Sequence, residues 1–405
     1  MTNKHENMSK VLISFLGTAQ PKEREYRTAN YQFNDGRQLT SSFIAKAIKQ
    51  HDDIDKMFLV GTVKSMWEEV YRSFAGDGVD EDIYLQLSDH CTQARANSPL
   101  ELPHRAAVEH AMGKGSKAVL IRYGLNEEEI EYNANVIFQL EQDLNAGDEL
   151  YVDITHSFRS LPLFLMNCLI YLQNVSRRGV KIKTIYYGML DVSGELGYTP
   201  VVELNNILTM NDWIIGAYAF ANFGNAYKIS ELMRADDGEA SERLNRFTEL
   251  MSLNFLTAIK NEAQSLSSIR NKAFSSPMAN MVVSPIIKDF IRDFMSAEQQ
   301  SVFQFKLAQW HLKHKNYSSA YLTLIESIVT YVCECEHLDI NDKDCREEAK
   351  QFIWSSAEYS DLRRIFNRTN KIRISIAHQV ERNSSYTSMI KKLEQSIEEL
   401  KAIIK

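Results

Sequence analysis

The stretch from residue 149 to residue 172 leaves few folds open. Glu149-Leu-Tyr-Val-Asp153 alternates acidic and apolar residues after the turn pair Gly147-Asp148, which predicts a short strand. Residues 161–172 (LPLFLMNCLIYL) are almost wholly apolar, which predicts a buried helix. Ser157 is the expected N-cap, with Pro162 tolerated in or near the first turn. The strand-to-helix junction then presents Thr155, His156, Ser157 and Arg159 at a helix N-terminus. Free backbone N–H groups, hydroxyls and a guanidinium gathered there favour phosphate.

The first half repeats this strand-and-helix alternation. Residues 10–16 read as a buried strand with Gly17-Thr18 at its C-terminal end, and 57–60 as a second one ending in Gly61-Thr62. Further strands are expected over 82–87, 118–123, 180–187 and 198–204, and 26–33 runs into the hairpin signal Asn34-Asp35-Gly36. Helices are expected over 38–50, 64–74, 103–112 and 127–144. Such alternation predicts a mostly parallel, doubly wound sheet whose loops collect at one edge, where ligands gather. Gly113-Lys-Gly115 lacks a third glycine and precedes a strand, so it is no dinucleotide fingerprint.

From about residue 211 helical periodicity takes over. Helices are expected over 212–232, 241–273 and 284–295, then a run over 298–338 with a turn near Asn316, and an amphipathic helix over 386–404. Loops are expected at 235–238 and 275–277. The chain therefore divides into an α/β domain, 1–208, and an all-α domain, 209–405.

Composition narrows the function. A net charge of −7 does not suit a protein that coats long duplex DNA, so any nucleic-acid contact must be local. No apolar run reaches the length of a membrane span and the N-terminus lacks signal-peptide anatomy, so a cytoplasmic protein is expected. Five scattered cysteines fit reduced thiols. Cys333-Glu-Cys335 places alternate residues on very different sides of a helix, and no metal site is expected there.

Against the acidic background, Arg363, Arg364, Arg368, Lys371 and Arg373 crowd the thirteen residues 361–373. A solvated basic face would explain such a run alone. The segment ends in Arg373-Ile-Ser-Ile-Ala-His378, however, an arginine and a histidine five residues apart.

Two resemblances follow from these residues. Val11-Leu-Ile-Ser-Phe-Leu-Gly-Thr18 and Asp153-Ile-Thr-His-Ser-Phe-Arg-Ser-Leu-Pro162 together resemble the CARF sensor domains of type III CRISPR ancillary proteins. Arg373-x4-His378 after such a half resembles the signature of HEPN ribonucleases, and the order matches the CARF–HEPN ribonucleases. Ile374 departs from the polar asparagine that often follows the arginine, and Asn370, one turn earlier, is the residue that would stand in for it.

The resemblance implies a Rossmann-like CARF domain followed by a HEPN domain. It also implies a pocket for cyclic oligoadenylate, expected to be cyclic tetra-adenylate, made by Gly17, Thr18, Thr155, His156, Ser157 and Arg159. The ring would act as an allosteric activator, and no cofactor or metal is expected. Catalysis would fall to Arg373, His378 and Asn370, with Arg368 and Lys371 contacting single-stranded RNA. Metal-free cleavage suits these groups: RNA supplies its own 2′-hydroxyl nucleophile, imidazole moves protons, and guanidinium forks onto phosphate oxygens. Residues i and i+5 stand about 140° apart on one helix, so one copy gathers these groups poorly, and the resemblance implies that two copies pool them across a two-fold axis. A homodimer, or a higher even oligomer, is therefore expected. A non-catalytic CARF sensor that recruits a partner, and a CARF half that itself degrades its ring, are the alternatives.

Overall fold

The structure, a computed structural model, describes residues 8–19, 25–156, 160–270, 274, 277–295, 297–378 and 385–404. The chain forms two compact units, Met1–Leu208 and Thr209–Lys405.

In the first unit eight strands build one sheet: β1 (Lys10–Phe15), β2 (Ala29–Gln32), β3 (Gln38–Ser41), β4 (Lys56–Gly61), β5 (Lys117–Leu120), β6 (Glu149–Asp153), β7 (Lys181–Gly188) and β8 (Thr199–Glu203). Their order is β3-β2-β8-β7-β6-β1-β4-β5. The run β7-β6-β1-β4-β5 is parallel throughout, whereas β8 is antiparallel to β7, and β3 to β2. β1 and β4 are buried almost end to end, as central parallel strands covered on both faces must be.

Alternate strand residues feed two cores. Leu12, Met57, Leu59 and Tyr151 face α1 (Ile44–Asp52), α2 (Trp67–Ala75), α3 (Glu81–Gln93) and α4 (Arg105–Met112). Val11, Ile13, Phe58, Val60 and Val152 face α5 (Glu127–Gln139) and α6 (Leu161–Asn174). A short α7 (Ser193–Leu196) precedes β8.

Several expected elements change. Residues 82–87 are helical rather than a strand. Asp80 caps α3 by accepting the N–H groups of Asp82 and Ile83, and Tyr84, Leu87 and Cys91 make its buried stripe at helical spacing. The segment 38–50 begins as β3, because the hairpin at Asn34-Asp35-Gly36 needs a returning strand, and becomes α1 only at Ile44. α6 is buried along one stripe only, and its Leu163 is 67% exposed. It starts at Leu161, with Ser160 rather than Ser157 at the N-cap position and no side-chain cap.

The second unit holds α8 (Asn205–Phe223, which begins just before the division), α9 (Tyr227–Met233), α10 (Gly238–Leu253), α11 (Leu256–Arg270), α12 (Pro277–Met295), α13 (Gln300–Lys313), α14 (Tyr317–Cys335), α15 (Lys343–Ser355), α16 (Ser360–Ala377) and α17 (Tyr386–Lys401). The expected helix over 212–232 breaks at Gly224, whose φ of +65° stops α8, and Thr248 Oγ1 accepts the N–H of Ala226 that opens α9. The expected helix over 241–273 breaks likewise at Asn254, in the left-handed region at φ +56°. α15, capped by Asp342, was not anticipated.

Two cores meet at α13. Phe303 and Leu307 pack with α8–α12, whereas Phe305 and Ala308 pack with α14–α17. His311 on this helix is 2% exposed, with neither ring nitrogen hydrogen-bonded among the described residues, and burial lowers its pKa from 6.5 to about 4.

Candidate functional site

β1 pairs with β4 on one side and β6 on the other, so the connections run in opposite directions from it. That makes the C-terminal ends of β1 and β6 a switch point, where the loops part and leave a crevice. A buried carboxylate sets its floor. Asp153, fully buried, accepts Ser14 Oγ from β1 at 2.6 Å, the Thr155 N–H at 3.0 Å and Thr155 Oγ1 at 2.5 Å. Thr155 Oγ1 in turn accepts the Gly188 N–H of β7 at 2.7 Å. One threonine hydroxyl thus ties β6 to β7 while Ser14 ties it to β1.

Above this floor the backbone of Gly17 comes close to His156. A Cβ on Gly17 would stand 3.2 Å from the imidazole Cγ and Nδ1, so glycine lets the loop lie against the ring. The 61–67 loop supports Gly17 from behind. Ser65 Oγ donates to Leu16 O at 2.8 Å and the Met66 N–H donates to Gly17 O at 3.2 Å. Trp67 Nε1 donates to Thr62 O at 2.8 Å. Gly61 has no alternative here, since a Cβ would stand 2.8 Å from Ser65 Oγ. The N–H groups of Gly17 and Thr18 have no partner among the described residues.

Two cavities open on either side of this contact. One, of about 480 Å³, is lined by Gly17, Thr18, Arg27, Thr28, Asn30, Thr40, His156 and Tyr198. The other, of about 330 Å³, is lined by Leu16, Gly17, Thr18, Val60, Thr62, Ser65, Ile121, His156 and Leu161. Burial lowers the His156 pKa, against the pull of Asp153. Burial raises that of Asp153, against the donors on Ser14 and Thr155. Both shifts favour the neutral forms. Among the described residues the larger cavity has no acidic lining residue and carries the Arg27 guanidinium, so its chemistry suits an anion bearing polar rings.

Of the residues singled out in the sequence, Gly17, Thr18 and His156 meet in both cavities. Thr155 lines neither, its hydroxyl being held between Asp153 and Gly188. Ser157 and Arg159 lie outside the described residues. Arg27, Asn30 and Tyr198 were missed, because they reach the crevice only through the placement of β8 beside β7 and of β2 beside β8.

The basic segment forms α16. Its buried stripe is Leu362, Ile365, Phe366, Thr369 and Ile372. Arg368 is not displayed for RNA: it donates to Ser396 Oγ at 2.9 Å and forks onto Glu399 of α17 at 2.9 and 3.2 Å. Arg363 donates to the carbonyls of Ile353 and Ser356. Asn370 and Arg373 do meet, since Arg373 Nε donates to Asn370 Oδ1 at 2.9 Å. Lys371 and His378 are exposed, and His378 ends the helix with its N–H on Ile374 O. No acid pairs with Lys371 or Arg373 among the described residues. The last turns of α16 therefore hold one oriented guanidinium, an ammonium and an imidazole spread around the helix, with Ile374 exposed among them.

No helix among the described residues is long and apolar enough to cross a membrane. Residues 11–191 match the CARF domain of CRISPR system endoribonuclease Csx1, and residues 209–299 match the second domain of CRISPR-associated protein MJ1674. The MJ1674 protein of Methanocaldococcus jannaschii is 34% identical over 399 residues; the match takes in 92% of this chain but only 62% of that protein's length. Among solved structures, Enterococcus italicus Csm6 bound to cyclic hexa-2′-fluoro-hexa-dAMP aligns with 98% of this chain and 94% of that one, at 10% identity and a TM-score of 0.41, a likeness too loose to carry an argument. The first unit thus matches a CARF domain of the Csx1 kind on a mixed α/β sheet, and the helices after it match part of a CRISPR-associated protein.

Proposed function

We propose that this chain is a metal-independent endoribonuclease switched on by a cyclic oligoadenylate, as a homodimer, in type III CRISPR defence. The observation that carries the reading is the crevice at the switch point of a CARF domain, where the N–H groups of Gly17 and Thr18, unpartnered among the described residues, stand where two cavities share a wall. Phosphate takes the N–H groups and the Thr18 hydroxyl, Arg27 supplies charge, and His156 lies between adjacent ring units. A two-fold pair of such crevices makes identical contacts to a symmetric ring.

In the second unit the RNA 2′-hydroxyl attacks the adjacent phosphorus and loses its proton, the P–O5′ bond breaks, and the 5′-oxygen takes up a proton and leaves as a hydroxyl. His378 exchanges the proton, and Arg373, aimed by Asn370, stabilises the charge that builds on the phosphorane oxygens. Because one α16 spreads these groups around the helix, the partner copy's α16 completes the cleft. A second reading, a CARF sensor that cuts nothing, draws support from the exposed Ile374 and from the fork that occupies Arg368.

Incubating pure protein with labelled RNA and each cyclic oligoadenylate in turn, with EDTA present, decides between them. Ligand-dependent cleavage leaving 2′,3′-cyclic phosphate and 5′-hydroxyl ends is expected. Tight ring binding without any cleavage would leave the sensor alone.

A further inference from the structure

Trp354 stands on the last turn of α15 with its indole half in water: it is 51% exposed, in a chain that buries Trp67 and Trp213 almost completely. Two contacts fix its place. Its ring meets the buried Phe366 of α16 edge-on, at 6.4 Å between ring centres and 90° between planes. On either side of it in the chain, the Ile353 and Ser356 carbonyls accept from the Arg363 guanidinium of α16 at 2.8 and 2.6 Å. The end of α15 is thereby pinned to the 363–366 turn of α16, and the indole keeps a face open to solvent.

That turn leads along α16 to the residues assigned to the chemistry. Side chains four and seven places apart share a helix face, so Phe366, Asn370 and Arg373 make one row. At 1.5 Å per residue, Arg373 lies about 10 Å beyond Phe366 along the axis. Its guanidinium is aimed by Asn370 at 2.9 Å. The indole and the oriented guanidinium thus stand towards the two ends of one row, about three nucleotides apart at the stacked rise of a strand and fewer if it is extended.

The charges beside this row suit a polyanion. Asp361 is taken up by Arg364 at 3.4 Å, and Glu347, on the Trp354 face of α15, by Lys350 at 2.7 Å. Lys371 and Arg373 have no acid partner among the described residues. Proteins hold single strands with this pairing of features: cations track the backbone and a base lies on an aromatic ring. One indole, by contrast, is far too little area for a stable protein contact.

We infer that Trp354 is a base-stacking platform for single-stranded RNA, holding a nucleotide within three positions of the phosphate that Arg373 attends. This rests on the ribonuclease reading and names a residue that positions its substrate. A purine covers more of an indole than a pyrimidine does, so the platform favours a purine at that position.

Walking a single abasic nucleotide through a labelled RNA tests this on the full chain, with the activating cyclic oligoadenylate present and Trp354→Leu and Trp354→Phe beside wild type. In wild type one abasic position within three nucleotides of the cut should raise KM roughly tenfold, the loss of one base–aromatic stack, with kcat little changed. Trp354→Leu keeps apolar bulk against Phe366 and should raise the KM of intact RNA by the same factor. The abasic RNA should then lose nothing further, which a packing role alone would not produce. Trp354→Phe should restore most of the affinity.

An abasic penalty equal in wild type and Trp354→Leu would overturn the platform, as would a Trp354→Leu chain with wild-type KM. A Trp354→Leu chain that sediments at lower mass than wild type would overturn it in favour of a contact between copies. A binding arm keeps the platform separate from the cleavage: RNA carrying 2-aminopurine at successive positions should be quenched at one of them by a His378→Ala chain, and not once Trp354→Leu is added. Quenching by a wild-type chain that cuts no RNA sinks the ribonuclease reading alone, whereas cleavage indifferent to Trp354→Leu sinks the platform alone.

Discussion

Thr155→Val isolates one hydroxyl in the floor of the crevice. Valine has nearly the same shape, so no cavity opens and the packing around Gly188 survives. What goes is a donor to the fully buried Asp153 and an acceptor for the buried Gly188 N–H. A hydrogen bond to a charged group contributes about 1.5–3 kcal/mol, and a buried donor left unpaired costs about 1–3 kcal/mol. With partial relaxation, a loss of about 3 kcal/mol is expected in the stability of the first unit. Thr155→Ser keeps the hydroxyl and should stay within about 1 kcal/mol of wild type.

The two units need not unfold together, so a single melting curve is a poor readout. Native-state hydrogen exchange on peptides covering β6 and β7 reports the opening free energy where the change is made. Because burial already raises the Asp153 pKa, the deficit should be largest where the carboxyl is ionised and shrink as pH falls. A valine variant with the same protection as wild type would refute the clasp, and with it the account of why the crevice holds its shape.

His378→Ala should abolish RNA cleavage without touching ring affinity, and Arg373→Ala should slow cleavage by about 10²–10³; gel assays in which His378→Ala still cuts would remove α16 from the chemistry. Arg27→Gln should weaken ring binding by about tenfold or more, the order of one charge-assisted contact, and flatten its salt dependence; calorimetry showing no change at low and high salt would take Arg27 out of the site. His311 should make the second unit acid-sensitive. Its folded pKa near 4 lies below the ordinary 6.5, so the unfolded chain binds the proton first and stability falls as pH drops from about 6.5 to 4. The full effect is roughly 3 kcal/mol, and His311→Leu should remove it; exchange-derived stabilities of α13 that do not change between pH 7 and pH 5 would contradict this.

Local signals were legible wherever one element explains itself. β1 and β4 read as apolar runs because both faces are covered, and Asn34-Asp35-Gly36 read as a hairpin because Gly36 takes φ +87° there. α3 was misread since Asp82–Leu87 alternates over six residues, too short a window to reveal the 84, 87, 91 stripe or the cap at Asp80. Gly17, Thr18 and His156 were found because loops at the C-terminal ends of parallel strands converge whatever the rest of the sheet does. Arg27 and Tyr198 were not, since nothing local says that β2 and β8 will become neighbours. A run of arginines likewise reads the same whether Arg368 faces water or a glutamate 31 residues further on.

Trp67 gives the first unit a lamp of its own. The other three tryptophans, at 213, 310 and 354, all belong to the second unit. The indole is fully buried, donates to the Thr62 carbonyl, and packs so tightly on Gly61 that a methyl group there would stand 2.9 Å from Cζ2. Thr62 itself lines the smaller cavity. Whatever enters that cavity and moves the 61–65 loop alters the polarity and hydrogen bonding of a single chromophore. In a chain whose other tryptophans are replaced by phenylalanine, the emission band becomes an unlabelled gauge of occupancy, readable on the millisecond scale of a stopped-flow mixer.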